Sequence, residues 1–252
     1  MSIIKSGHEL LQAIHEQKSK IALVPTMGAL HEGHIALGKL ARLKAENVIY
    51  SIFVNPTQFG AGEDFDKYLR DVEADKKKLK GIADYIYTPR VEDIYPDGVK
   101  VTHRAGAAAQ GLCGESRPGH FDGVVTVVAK LFEHTLPDIA IFGEKDYQQL
   151  QVIREMNFKN IKTGETIEII GAPIIREKNG LAMSSRNAYL TEDQKLIAPK
   201  LYEIISSGIT IPEMDVRFKI LGFKVDYIEE RWGRILAAVW LGKTRLIDNV
   251  PI

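Results

Sequence analysis

Two histidines three residues apart, His31 and His34, stand in the run Met27-Gly-Ala-Leu-His-Glu-Gly-His34. Either imidazole titrates near neutrality, so each can carry a proton or a positive charge at working pH. A short apolar run, Ile21-Ala-Leu-Val-Pro25, precedes them and predicts a buried strand. Apolar Ile35, Leu37, Leu40 and Leu43 follow near helical spacing and predict a helix over 33–45. A helix start offers unpaired amides to a phosphate. Gly28 permits a tight turn and Gly33 permits close approach of a ligand. Donors of this kind stabilise charge that grows on a transferring phosphoryl group. The plain alternative is a solvated helix start, and the coincidence of glycine, histidine and strand-to-helix context argues against it. Zinc would need more ligands than His31 and His34 supply, and no partner cluster of cysteine or histidine accompanies them.

Four further segments carry candidate chemistry. Asn55-Pro-Thr-Gln-Phe59 follows a second strand-like run, and Gln58 can donate and accept, which suits a hydroxy-carboxylate. A simple turn closed by Asn55 is an even alternative there. Phe142-Gly-Glu-Lys-Asp-Tyr-Gln-Gln149 follows another strand. Lys145 is a mobile cation suited to phosphate. Glu144 and Asp146 suit a ribose hydroxyl or a metal–phosphate cluster, and Gln149 falls one turn into the next helix. Ser184, Ser185 and Arg186 are adjacent donors after a flexible Gly180, a loop fit to close over a triphosphate and exclude water. Arg117-Pro-Gly-His-Phe121 is the last: its Arg and His could face a ligand or a partner subunit, and His120 also reads as a cap or turn residue.

The elements that must position these residues alternate. Strands are predicted over 21–25, 47–54, 83–88 and 139–142. Helices are predicted over 33–45, 64–80, 121–134 and 147–157, the second with Phe65, Leu69, Val72 and Leu79 inward and Lys76–Lys78 on a solvated face. Nearly continuous apolar strands between amphipathic helices imply an α/β fold, a doubly wound parallel sheet covered on both faces. Ligands sit beyond the carboxyl ends of such strands, so the loops at 26–34, 55–63 and 143–146 share one rim. Beyond about residue 171 the pattern changes to a smaller α+β domain. Residues 166–175 are extended, and Thr191 with Gln194 forms a capping-box pattern before Leu196, Ile197, Leu201 and Ile204. Two strand-like runs follow at 225–228 and 235–241. The domains are thus 1–170 and 171–252.

Composition sets the class. The chain has 252 residues, net charge zero, 45% apolar and 26% charged residues, and one cysteine, Cys113. A neutral balance gives no reason to expect a nucleic-acid partner. No stretch nears the roughly 18 continuous apolar residues of a membrane span. No intrachain disulfide is possible, and nothing at the start reads as a secretory signal, so a cytoplasmic home is expected. The glycine pattern is neither Gly-x-Gly-x-x-Gly nor the phosphate loop ending in Gly-Lys-Ser/Thr, which argues against a dinucleotide oxidoreductase and an ordinary phosphate-loop ATPase. His8, His15, His103 and His134 have no motif context, Cys113 has no base beside it, and Trp232 and Trp240 read as packing residues.

Taken together, 25–34, 55–59, 117–121, 142–149, 180–187 and Gly242-Lys-Thr-Arg-Leu-Ile-Asp248, in this order, closely resemble the pantoate–β-alanine ligase family of His-x-Gly-His nucleotidylyltransferases. The resemblance implies a Rossmann-like domain with a C-terminal lid. It implies adenylation of pantoate by ATP with Mg2+, attack by β-alanine, and release of pantothenate and AMP, in a cytoplasmic homodimer. It places ATP on Met27, Gly28, Ala29, Leu30, His31, Glu32, Gly33 and His34, on Gly143, Glu144, Lys145 and Asp146, and on Ile175, Met183, Ser184, Ser185 and Arg186. His34 would donate a proton. His31, Lys145, Ser184, Ser185 and Arg186 would stabilise the transferring group, and Gln58 and Gln149 would hold pantoate beside Met27. Asp75 coincides with an acidic family position near the site. Three departures stand out: Leu69 replaces a proline, Asn179 replaces an aspartate before Gly180, and the stretch between Ser207 and Val225 is short.

Overall fold

The computed structural model describes residues 1–15, 19–59, 71–156, 158 and 164–252. The chain divides into two compact units. The first comprises Met1–Leu30, His34–Gly143 and Gln148–Ala172, and the second comprises His31–Gly33, Glu144–Tyr147 and Pro173–Ile252.

In the first unit the chain runs β1 (Ser2–Ile4), α1 (Gly7–His15), β2 (Ile21–Thr26), α2 (from Glu32 to Arg42) and β3 (Asn47–Ile52). It continues through α3 (Val72–Lys78), β4 (Tyr85–Tyr87), α4 (Val91–Ile94), α5 (Leu112–Ser116), α6 (His120–Thr135), β5 (Ile139–Gly143), α7 (Tyr147–Glu155) and β6 (Glu168–Ala172). The strands form one parallel sheet in the order β1-β4-β3-β2-β5-β6. Its central strands are buried on both faces, which is why they read as apolar runs without alternation. The strand order reverses direction between β2 and β5, the place where a doubly wound sheet opens a crevice. Pro25 helps to open it. The β2–β5 ladder stops at Leu23↔Ala140, before Pro25, which has no N–H to give, whereas β2 stays paired with β3 as far as Thr26↔Ile52.

The second unit carries α8 (Glu192–Ile197), α9 (Lys200–Ile205) and α10 (Ile211–Ile220). These precede an antiparallel sheet of β7 (Lys224–Arg231), β8 (Arg234–Leu241) and β9 (Thr244–Pro251), in that order. Its core gathers Leu201, Ile204, Met214, Phe218, Val239, Leu246 and Val250. The observed fold is the expected parallel α/β arrangement followed by a smaller α+β part.

Several local expectations change. The helix after Thr191 is broken, because Pro199 cannot donate into a continuing helix, so α8 and α9 are separate and Leu196 is exposed. Leu43 lies past the end of α2 and is also exposed. The capping box at Thr191 and Gln194 forms as expected. Residues 64–70 of the expected charged helix, with Phe65 and Leu69, and Asn157 lie outside the described residues. β1, α1 and β9 were not anticipated.

Candidate active site

In the first unit, β2 delivers the chain to a turn that its last residue holds. Thr26 Oγ1 donates to Ser51 O at 2.8 Å and accepts the Gly28 amide at 3.3 Å. Gly28 and Ala29 then take left-handed conformations with φ of 83° and 50°. A Cβ on Gly28 would stand 3.1 Å from Ile52 Cγ2 and 3.2 Å from Asp75 Oδ2, so φ favours glycine and a side chain would press on both neighbours. Leu30 is buried, and α3 grips its peptide from both sides. Asp75 Oδ1 accepts the Leu30 amide at 2.8 Å and Lys78 Nζ donates to Leu30 O at 2.6 Å. Lys78 is therefore not simply part of a solvated face. Its stem lies along the surface while its ammonium holds a carbonyl.

Asp75 is buried, and its Oδ2 has no hydrogen-bond partner. Burial pushes its carboxyl above the usual range. The Leu30 amide, Lys78 and the Ala29 amide pull it back, and Asp71 adds to the rise. A signal for this residue existed in the sequence, since Asp75 sits between Val72 and Leu79 on the inward face of the helix.

His34 lies in the first turn of α2, where its carbonyl accepts the Tyr50 hydroxyl at 2.7 Å. Gly38 lets that happen, because a Cβ there would overlap the phenol. Burial drives the Tyr50 phenol well above its usual range and keeps it a donor.

Around Gln58 the structure builds a polar lattice. Asn55 Nδ2 donates to Gln58 Oε1 at 3.2 Å and to Gly123 O at 3.1 Å. Asn55 Oδ1 accepts from the Thr57 amide at 3.3 Å and from the Tyr95 hydroxyl, so it closes the turn and orients Gln58 at once. His120 Nδ1 lies 2.8 Å from Gln58 O, and Arg117 Nη2 donates to the same carbonyl at 3.3 Å. Gln58 Nε2 approaches Met27 Sδ at 2.8 Å. With Oε1 held by Asn55, the amide presents its NH2 toward Met27. Gln149 is half-buried on the first turn of α7. Its neighbour Gln148 points inward, donating to Ala108 O and Gly111 O at 3.0 Å and accepting the Cys113 amide at 2.9 Å. Sequence reasoning missed Asn55 and His120 as members of this lattice, because Asn55 is fixed by Gly123 and Tyr95, 68 and 40 residues away, and His120 reaches Gln58 across 62 residues.

In the second unit, His31 Nδ1 accepts the Gly33 amide at 3.1 Å. The ring proton is thereby assigned to Nε2. A Cβ on Gly33 would stand 2.8 Å from His31 Cε1 and 3.8 Å from Met183 Cβ, so this glycine makes room for the imidazole. Glu32 is exposed. Glu144–Asp146 form a single 3-10 turn, with Lys145 Nζ 3.8 Å from Asp146 Oδ2. The loop at 175–187 folds back on itself. The Met183 amide donates to Ile175 O at 2.9 Å, and Arg176 bridges Ala182. Ser184 Oγ caps the next turn by accepting the Arg186 amide at 3.2 Å. Asn179 Oδ1 accepts the Leu181 amide at 3.2 Å, the bond an aspartate would make, so this departure leaves the turn intact.

Chemically, the first unit offers an oriented amide donor and a strained glycine turn at a sheet's carboxyl edge. The second offers an imidazole N–H, an ammonium and a hydroxyl–guanidinium loop, the donors that suit anionic oxygens. Among the described residues no three His, Cys, Asp or Glu side chains cluster to hold a metal ion, and no helix is long and apolar enough to cross a membrane.

Known proteins agree over the whole chain. Residues 2–231 match the Pantoate-beta-alanine ligase family. A pantothenate synthetase of Rhodospirillum rubrum is 45% identical over 287 aligned positions, covering 100% of this chain and 99% of that protein. A Francisella tularensis pantoate-beta-alanine ligase, solved with beta-gamma ATP and beta-alanine, is 39% identical with a TM-score of 0.90, covering 100% of this chain and 97% of that one. A Thermus thermophilus pantothenate synthetase is 37% identical with a TM-score of 0.89, covering 100% and 99%.

Proposed function

Because the chain belongs to the pantoate–β-alanine ligase family, we propose that the residues described above carry that family's two steps, ATP-dependent and through an adenylate. In the first step a pantoate carboxylate oxygen bonds to the α-phosphorus of ATP and the bond to pyrophosphate breaks. In the second, the β-alanine amine bonds to the acyl carbon, AMP leaves, and the amine loses its proton. A carboxylate is a poor electrophile, so the adenylate supplies the leaving group. The protein's work is to orient reactants and exclude water.

Gln58 and Gln149 hold pantoate. The observation that carries this reading is the orientation of Gln58, whose Oε1 is occupied by Asn55 and whose NH2 is directed at a thioether, a weak acceptor that a pantoate oxygen would readily replace. Met27, Gly28, Ala29 and Leu30 form the turn against which ATP lies. Gly143, Glu144, Asp146, Ile175 and Met183 line the nucleotide. His31 offers Nε2–H to phosphate oxygens, and Lys145, Ser184, Ser185 and Arg186 stabilise the transferring group. His34 donates a proton to the pyrophosphate oxygen that leaves in the first step. Glu32, being exposed, contributes through its backbone at the helix start.

Magnesium, when bound, offsets phosphate charge. Glu144 and Asp146, on the turn that carries Lys145, are the carboxylates that would hold it together with the phosphates. Residues 171–252 act as the smaller, water-excluding part, and the working enzyme is a cytoplasmic homodimer, as the family suggests.

The test is an assay with ATP, pantoate and β-alanine. Pantothenate and AMP should form together, with pyrophosphate exchange retained when β-alanine is omitted. Exchange without amide formation under any amine would leave only an adenylyltransferase. Gln58→Ala should weaken pantoate more than ATP, and equal weakening would refute the pantoate role.

A further inference from the structure

The segment at 242–248 contributes no side chain to the assignments above, yet its end ties together two loops of the second unit. Asp248 and Asn249 are consecutive on β9, so their side chains leave opposite faces of the strand. Both are buried.

Asp248 shares its face with the core residues Leu246 and Val250. Its carboxylate takes Arg176 in a two-pronged pair, Nη1–Oδ2 at 2.6 Å and Nη2–Oδ1 at 3.0 Å. The same guanidinium lies 3.7 Å over the Tyr202 ring, and its Nη1 also donates to Gly180 O at 3.1 Å. Arg176 thus reaches both the start and the turn of the loop that carries Met183–Arg186. A planar fork does this where an ammonium would not.

Asn249 works on the opposite face. Arg234 Nε donates to its Oδ1 at 2.6 Å, which settles the direction of the amide. Its NH2 then meets two successive carbonyls, Glu144 O at 2.9 Å and Lys145 O at 3.1 Å. Arg234 also pairs with Glu144 at 3.5 Å. Asn249 therefore fixes the turn from which Lys145 projects. The two residues are themselves locked, since the Asn249 amide donates to Asp248 Oδ1 at 2.8 Å.

We infer that Asp248 and Asn249 are positioning residues that set the Ser184-Ser185-Arg186 loop and Lys145 to one another through a single step of β9. This rests on the assignment of those four residues to ATP. Every bond described above for Asp248 and Asn249 goes to a group of the protein itself.

Asn249→Asp keeps the shape and removes the donor, placing carboxylate oxygen against two carbonyls. Asn249→Ser is the milder companion should the first variant fold poorly. Each is measured alone and with Lys145→Ala, by pyrophosphate exchange, by ATP and pantoate affinities, and by Tm. Asn249→Asp should lower kcat/KM for ATP about 10- to 100-fold, the range expected when a reacting group is displaced by a fraction of an ångström to an ångström. Pantoate affinity should stay within twofold. With Lys145 already truncated the same change should have little further effect on exchange, while its effect on Tm persists. A merely structural asparagine would give the opposite pattern: equal losses for both substrates, and the same fold-loss in either background. Either result overturns the positioning role. If Lys145→Ala alone leaves exchange intact, the assignment of Lys145 to ATP fails as well, which separates that failure from the other.

Discussion

Two loops in this protein are built on the same plan and held differently. The turn at 26–30 and the loop at 176–186 each pivot on a glycine at positive φ, Gly28 at 83° and Gly180 at 93°. Each is anchored by a buried aspartate, Asp75 or Asp248. Asp248 has both oxygens engaged by a bidentate arginine and a backbone amide. Asp75 has one oxygen on an amide, a lysine ammonium 4.0 Å away, and the other oxygen without a partner. A buried carboxylate that is fully paired locks its loop. One that is half paired holds its loop while carrying a desolvation cost, and that cost is visible in its raised pKa.

The comparison can be broken most directly at Arg176. Arg176→Met keeps much of the stem and strips Asp248 of its counter-charge, and it should destabilise the fold by about 3–5 kcal/mol in denaturant melts. A loss below about 1 kcal/mol would mean that the pair is not what holds the loop. Gly28→Ala comes next. Left-handed φ costs an alanine roughly 1–2 kcal/mol, and its methyl would press on Ile52 and Asp75. ATP affinity should fall with stability, and a neutral outcome would show that the turn relaxes freely.

Asp75→Asn tests the half-paired side through pH. Because the folded-state pKa lies above the ordinary value of 3.8, the native protein holds this proton more tightly than the unfolded chain. That contribution to stability is complete below the ordinary value and is lost as pH rises through the folded value. The variant should lack this fall, so its stability relative to wild type should rise with pH across the window and then level. A difference that stays constant with pH would remove the desolvation argument. The smallest effect belongs to Lys78→Met, which removes a half-exposed donor to Leu30 O. It should cost about 0.5–1 kcal/mol and lower ATP affinity modestly, and a thermal melt with nucleotide titration would detect both.

Periodicity and residue type carried much of the outcome. Apolar runs without alternation made the strands of a parallel sheet legible, because burial on both faces leaves no polar side. Glycine and histidine after a strand made the turn at 27–34 legible as a candidate site, and six ordered segments were enough to indicate the family. These are local signals, and local chemistry writes them.

Partnership between distant residues was another matter. Asn55 reads as an ordinary turn residue, and it is one; only the fold reveals that its amide also aims Gln58. Lys78 reads as one of three solvated lysines until α3 brings it against Leu30. Pro199 splits a helix that the spacing of Leu196 and Leu201 runs together, because a missing N–H outweighs an apolar stripe. Asn249 carries no motif of its own, and neither the segment ending at Asp248 nor the inward place of Asp75 says what those carboxylates hold. A buried polar side chain takes its meaning from whichever backbone groups the tertiary structure places within hydrogen-bond reach, and those lie as far as 105 residues away in the chain. The sequence by itself determined the sheet and the family. Tertiary structure alone decided which buried groups hold those loops, since desolvation makes each of them depend on partners that sequence distance conceals.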